Sequence, residues 1–117
     1  MGAFTSVTVI GRSAVGEGVK RLIVTAVGPA SYDAGGSAID LSAAALGAME
    51  GFTTVYGGHL LKAAHASTSI KLQASVVGGA SATSPKIVLR DADGGTAMAQ
   101  LSGDVSGYTI TMEFVGV

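Results

Sequence analysis

Residues 11–16, Gly-Arg-Ser-Ala-Val-Gly, come nearest to a motif for nucleophilic or phosphate-binding chemistry. A catalytic serine on a sharp strand-to-helix turn requires Gly-x-Ser-x-Gly, and Val15 stands where the second glycine is needed. The glycine spacing also fits a phosphate-binding loop, but Glu17 occupies the position of the lysine that reaches the phosphates. A carboxylate there would repel the ligand, so we predict that Ser13 is a turn residue without a catalytic role.

Two pairs of side chains have types that bind metal ions. His59 and His65 are six residues apart, which on one regular strand places both on the same face but roughly 20 Å from each other. We therefore predict ordinary surface or interface histidines. Asp91 and Asp93 resemble the opening of a calcium loop, but the distal glutamate of that motif is missing. A hairpin turn over residues 91–95 explains them better, and the sequence leaves open whether they also bind a cation.

The remaining polar and aromatic residues offer little further chemistry. Most of the eight acidic residues lie in turn contexts, such as Asp33 and Asp104, rather than in paired positions. A carbohydrate-binding module would need a concave face with exposed aromatics, here Tyr32, Tyr56 or Tyr108, because the chain has no tryptophan. This module stays an alternative. We expect no cofactor and no metal ion, and predict a protein that is not an enzyme.

The charge of the chain is unusually sparse. Charged residues make up 13% of the 117 residues, with seven basic and eight acidic side chains, whereas an ordinary soluble domain carries about 25%. No basic cluster indicates direct contact with nucleic acid, and no apolar run is long enough to cross a membrane. Missing surface charge suggests a surface that other subunits cover. The alternative is a monomer with a neutral surface rich in Ser, Thr and Gly.

Eighteen glycines divide the chain into short segments rich in Val, Ile and Thr, the composition of β-strands between turns. We predict a single all-β domain over residues 1–117, an antiparallel β-sandwich or small barrel with at most one short helix. The helical turn is expected within residues 42–49. The clearest alternation of apolar and polar side chains, over residues 108–115, predicts a core strand. The other predicted strands are residues 4–10, 19–27, 38–41, 52–56, 59–64, 69–77, 86–90 and 96–101.

Two segments are predicted to contact other protein molecules. The N-terminal residues precede the first strand and could extend onto a neighbour, and residues 77–85 have the composition of an exposed loop. The predicted interface residues are Met1, Gly2, Ala3, Phe4, Gly78, Gly79, Ala80, Ser81, Ala82, Thr83 and Ser84.

The order of these segments resembles the small β-rich virion proteins of tailed bacteriophages, among them the head decoration or cement proteins. The residues that carry the resemblance are Thr8 and Val9 and the segments 19–28, 37–42, 52–58, 101–108 and 115–117. The resemblance implies a non-enzymatic protein of the virion that binds between capsid subunits and stabilises the shell. Its implied partners are the major capsid protein and copies of itself, as a dimer or trimer or within a larger assembly. A tail-tube or head–tail connector component is the alternative within the same class.

Overall fold

The computed structural model describes residues 2–32, 35–47, 50–65, 72–91 and 104–117. Within these ranges the elements are β1 (Thr5–Gly16), β2 (Val19–Val27), β3 (Ser37–Ala38), α1 (Ala43–Leu46), β4 (Val55–His65), β5 (Leu72–Ser81), β6 (Ser84–Asp91) and β7 (Tyr108–Gly116). The predicted strand 96–101 and the predicted turn 91–95 lie largely outside the described residues.

The described strands form two antiparallel sheets. One has the order β1-β2-β7-β4 and the other the order β3-β6-β5. The prediction of an all-β, sandwich-like fold with at most one short helix is confirmed for this part of the chain. The short helix α1 also lies within the predicted segment 42–49.

The core lies on the inner face of the first sheet, and the alternation of β7 is what creates it. Tyr108, Ile110, Met112 and Phe114 are buried, and the residues between them face outward. In β2 the same face carries the residues that pair in register with β7, so the two strands bury one continuous apolar surface. These register pairs are Leu22 with Phe114, Val24 with Met112 and Ala26 with Ile110. Ile39, Leu41, Ile87 and Leu89 complete the same buried cluster.

The Tyr32 hydroxyl group bonds to the backbone of β6 beyond the point where the short strand β3 ends. The Leu89 N–H donates to the Tyr32 hydroxyl oxygen at 2.7 Å, two residues past the Ser37–Ile87 pair. The hydroxyl in turn lies 3.5 Å from the Ile87 carbonyl oxygen. A buried phenol thus satisfies backbone groups that a longer β3 would otherwise pair.

Three details of the sequence interpretation are wrong, and glycine is the reason in each. Strand β1 runs through Ser13 to Gly16, so Ser13 is a strand residue and not a turn residue. Strand β4 is continuous where two strands were predicted, because Gly58 lies against Phe114 and provides close packing instead of a turn. The predicted loop 77–85 is the β5–β6 hairpin.

The reversal between β1 and β2 uses backbone conformations that glycine favours. Gly16 pairs with Val19, which leaves Glu17 and Gly18 as a two-residue turn with φ values of 53° and 81°. Positive φ at both central residues matches the right-handed twist of the two strands.

Replacing Phe114 by alanine tests the core. Phe114 has 0% exposure, so Phe114→Ala is expected to lower the free energy of unfolding by about 3–5 kcal/mol through lost burial and a residual cavity. The control Leu61→Ala changes a side chain that is 48% exposed and is expected to stay within about 0.5 kcal/mol of wild type. Denaturant unfolding measures both, and equal effects would contradict this assignment of the core.

The turn before β7 gives a pH-dependent prediction. The Ser106 hydroxyl and the Ser106 N–H donate to Asp104 Oδ1 at 2.6 and 2.9 Å. These two bonds, the hydroxyl first, hold the pKa of Asp104 below its ordinary value. Because the folded-state pKa is depressed, the stabilisation is present above the unfolded-state pKa and is lost as the pH falls through the folded-state value.

Carboxyl ¹³C NMR titration of wild type and of Ser106→Ala measures this effect. We expect the pKa of Asp104 to rise toward its ordinary value in Ser106→Ala and to stay unchanged in Thr109→Ala, which alters an exposed residue on β7. An Asp104 pKa that is the same in all three proteins would show that the hydroxyl bond does not form in solution, because Ser106→Ala keeps the backbone N–H.

Candidate functional site

The candidate catalytic and metal-binding residues that the structure describes lie on different elements. Ser13 is exposed on β1, and Glu17 lies in the turn that follows. His59 and His65 both belong to β4, and a register shift between Leu60 and Lys62 falls between them. Asp93 lies outside the described residues. Among the described residues, no three His, Asp or Glu side chains are grouped closely enough to hold a metal ion.

Among the described residues, two groups of charged side chains lie close together, and both are at the surface. Glu113 Oε1 lies 3.8 Å from both Arg21 Nε and His59 Nε2 on the outer face of the first sheet. Arg12 Nη1 donates to Glu50 Oε1 at 2.8 Å. Solvent-exposed pairs of this kind contribute little to stability.

Of the tyrosines considered for sugar binding, the structure exposes one. Tyr32 and Tyr108 belong to the buried core, whereas Tyr56 is 62% exposed at the beginning of β4. The expectation that Tyr32 or Tyr108 could lie on an open concave face is therefore wrong. Their rings are used for packing and, for Tyr32, for backbone hydrogen bonding.

Tyr56 lies at an open cleft between β4 and β5, which are edge strands of the two sheets. The cleft has a volume of about 500 Å³. The described residues in its walls are 55–57 of β4, 76–79 and 81 of β5, Ala82 of the following turn and Pro85 of β6, none of which is charged. Two of its lining residues are joined by a hydrogen bond, because the Val55 N–H donates to the Ala82 carbonyl oxygen at 2.8 Å.

An irregularity in β5 shapes one wall of this cleft. Val77 pairs with Lys86 and Ser81 with Ser84, so residues 78–80 all lie opposite Pro85. Gly79 approaches the Ser84 carbonyl oxygen so closely that an added Cβ atom would lie 1.9 Å from it. The bulge therefore depends on glycine at position 79, and proline is tolerated opposite it because no ladder N–H is required there.

The hairpin tip and the N-terminal segment, both predicted to contact other molecules, are held by the domain's own backbone. The Thr83 carbonyl accepts from the Leu41 N–H at 2.9 Å, and the Phe4 N–H donates to the Ala38 carbonyl at 2.9 Å. The Phe4 side chain is buried, so in this fold it is not available to a neighbour. Ala3 and most of the hairpin tip are exposed and keep their predicted role, whereas Met1 lies outside the described residues.

A second open feature, not anticipated from the sequence, is the outer edge of β1. None of the described strands pairs with this edge, and Ile10 and Val15 on β1 are 60% and 53% exposed. The sequence signal is a twelve-residue strand with one charged residue, Arg12. The sequence prediction ended the first strand at residue 10, before Gly11, and therefore did not include the second half of β1.

Comparison with known protein families, curated proteins and solved structures finds no match to this chain. Across the described ranges, no helix has the length and apolar character needed to cross a membrane.

The bulge in β5 allows a matched pair of substitutions. Gly79→Ala is expected to destabilise the domain by about 1–3 kcal/mol, because the new methyl group collides with the Ser84 carbonyl. An added Cβ at Gly78 meets nothing within 4 Å, so Gly78→Ala is expected to be neutral or to stabilise by up to about 1 kcal/mol. Denaturant unfolding of both variants measures the difference, and equal stabilities would mean that the bulge is not formed as described.

Proposed function

We propose that the protein is a non-enzymatic virion protein of a tailed bacteriophage, a capsid decoration protein that binds between capsid subunits and stabilises the shell. The observation that supports this function best is the open outer edge of β1. Strand β1 is twelve residues long, with three register shifts against β2, and its other edge has no partner among the described strands. A protein that assembles with others needs a surface that can pair with them. In an isolated monomer, an unpaired strand edge promotes aggregation.

The side chains of β1 suit burial against another protein. Ile10 and Val15 present apolar surface to solvent, and Arg12, the one charged residue of the strand, is already paired with Glu50 of the same chain. A partner that covers this edge would therefore bury no uncompensated charge. In monomeric proteins, edge strands commonly carry several charges that prevent such pairing.

The composition of the whole chain supports the same proposal. Only 13% of the residues are charged, about half the usual share. The proposed partners are the major capsid protein and further copies of this chain, as a dimer or trimer, in the virion. Added strands or packed subunits would cover the neutral surface, and no chemical reaction is needed for that role.

Cosedimentation with expanded, DNA-free capsids that lack the protein tests the proposal. Wild type is expected to bind, and Ile10→Lys is expected to weaken binding at least tenfold, about 1.4 kcal/mol, because it places a charge at the covered edge. The control Leu61→Lys introduces the same charge at an exposed apolar residue of β4 and is expected to bind like wild type.

Three outcomes would contradict this function. The first is that wild type neither binds these capsids nor is found in purified virions by mass spectrometry. The second is assembly of the purified protein into rings or tubes by electron microscopy, which would favour a tail-tube or connector component. The third is equal binding by wild type and Ile10→Lys, which would remove the β1 edge as the contact surface.

A further inference from the structure

We infer that the cleft between β4 and β5 is a binding site for a neutral saccharide, with Tyr56 as the surface on which the sugar ring packs. This site is separate from the β1 edge and does not depend on the role in the capsid. Strands β1 and β4 lie at opposite edges of the first sheet.

The size and charge of the cleft define the class of ligand. A volume of about 500 Å³ lies within the range of roughly 300–1,000 Å³ that small-molecule sites occupy. The lining residues that the structure describes are all uncharged, so they offer no counter-charge to a phosphate, a carboxylate or an amine. We therefore expect an uncharged ligand, because its binding would not bury an unpaired charge.

Tyr56 provides the apolar contact that a sugar ring needs. Tyr56 is 62% exposed although its side chain is large and aromatic, and it lines the open cleft. The residue is therefore accessible to a ligand. An aromatic face with a hydroxyl at its end suits a ligand that has both C–H surface and hydroxyl groups.

The bulge in β5 supplies polar groups on the opposite wall. Residues 78–80 lie opposite Pro85, which has no N–H, so this part of the ladder cannot pair all of their backbone groups with β6. The Ser81 hydroxyl lies close by, 3.4 Å from the Thr83 hydroxyl. Backbone amides, carbonyls and a serine hydroxyl together can both donate to and accept from sugar hydroxyls.

Both walls are fixed before any ligand binds. The Val55 N–H donates to the Ala82 carbonyl at 2.8 Å, and the Ile39 N–H donates to the Pro85 carbonyl at 3.0 Å. A preformed cleft loses little conformational entropy on binding. An apolar side chain of a partner protein is the competing occupant, but it would leave the polar wall of the bulge unsatisfied.

The test combines a glycan array with NMR titration of the ¹⁵N-labelled protein by maltotriose, cellotriose and chitotriose. We expect binding of at least one neutral glycan on the array or in the titration, with chemical-shift changes at Tyr56, Gly57, Gly78 and Gly79. Tyr56→Ala should weaken this binding at least tenfold, and Tyr56→Phe should stay within about threefold of wild type because the ring is kept.

Gly78→Leu fills open space at the cleft and should abolish binding, whereas Leu61→Ala, on the same strand as Tyr56 but outside the cleft, should bind like wild type. Thermal unfolding of each variant shows whether it is folded. Three results would overturn the inference: no glycan bound by folded wild type, shifts that map outside the cleft, or affinity unchanged in Tyr56→Ala and Gly78→Leu.

Discussion

Burial of the inner face of β7 is the interaction on which the other parts of the molecule depend. Its apolar residues pair in register with those of β2 on one side and lie beside β4 on the other. Phe114 is central to this arrangement because it meets both Leu22 and Gly58 across the two neighbouring strands. The position of β4, and therefore of Tyr56 and the cleft wall, follows from how closely Gly58 approaches this ring.

Alternation along a strand is a local property, and for that reason the sequence was sufficient to predict β2, β7 and the all-β class. Glycine was harder to interpret because it has two roles that look alike in sequence. At Glu17-Gly18 the backbone turns with positive φ, as a turn glycine predicts. At Gly58 and Gly79 glycine instead allows another chain segment to approach, which depends on contacts that the local sequence does not contain.

The candidate sites also combine properties that the local sequence predicts with properties that depend on tertiary contacts. Neutral charge and the absence of a complete catalytic motif could be derived from residue types alone. The cleft could not, because it exists only where the edges of two different sheets meet, and residues 55–57 and 76–82 are brought together by tertiary structure. Tyr32 illustrates the same limit: its burial depends on a hydrogen bond to Leu89, 57 residues away in sequence.

The tip of the β5–β6 hairpin is anchored by main-chain atoms. The carbonyls of Ala82 and Thr83 accept from Val55 and Leu41, and Ala82 is an exposed residue in the wall of the cleft. Because these anchors use no side-chain atom, a substitution at residue 82 changes the wall of the cleft without removing the backbone contacts that hold the loop. The same position would accept a cysteine for attaching a fluorophore or a displayed peptide, in a chain that contains no cysteine of its own.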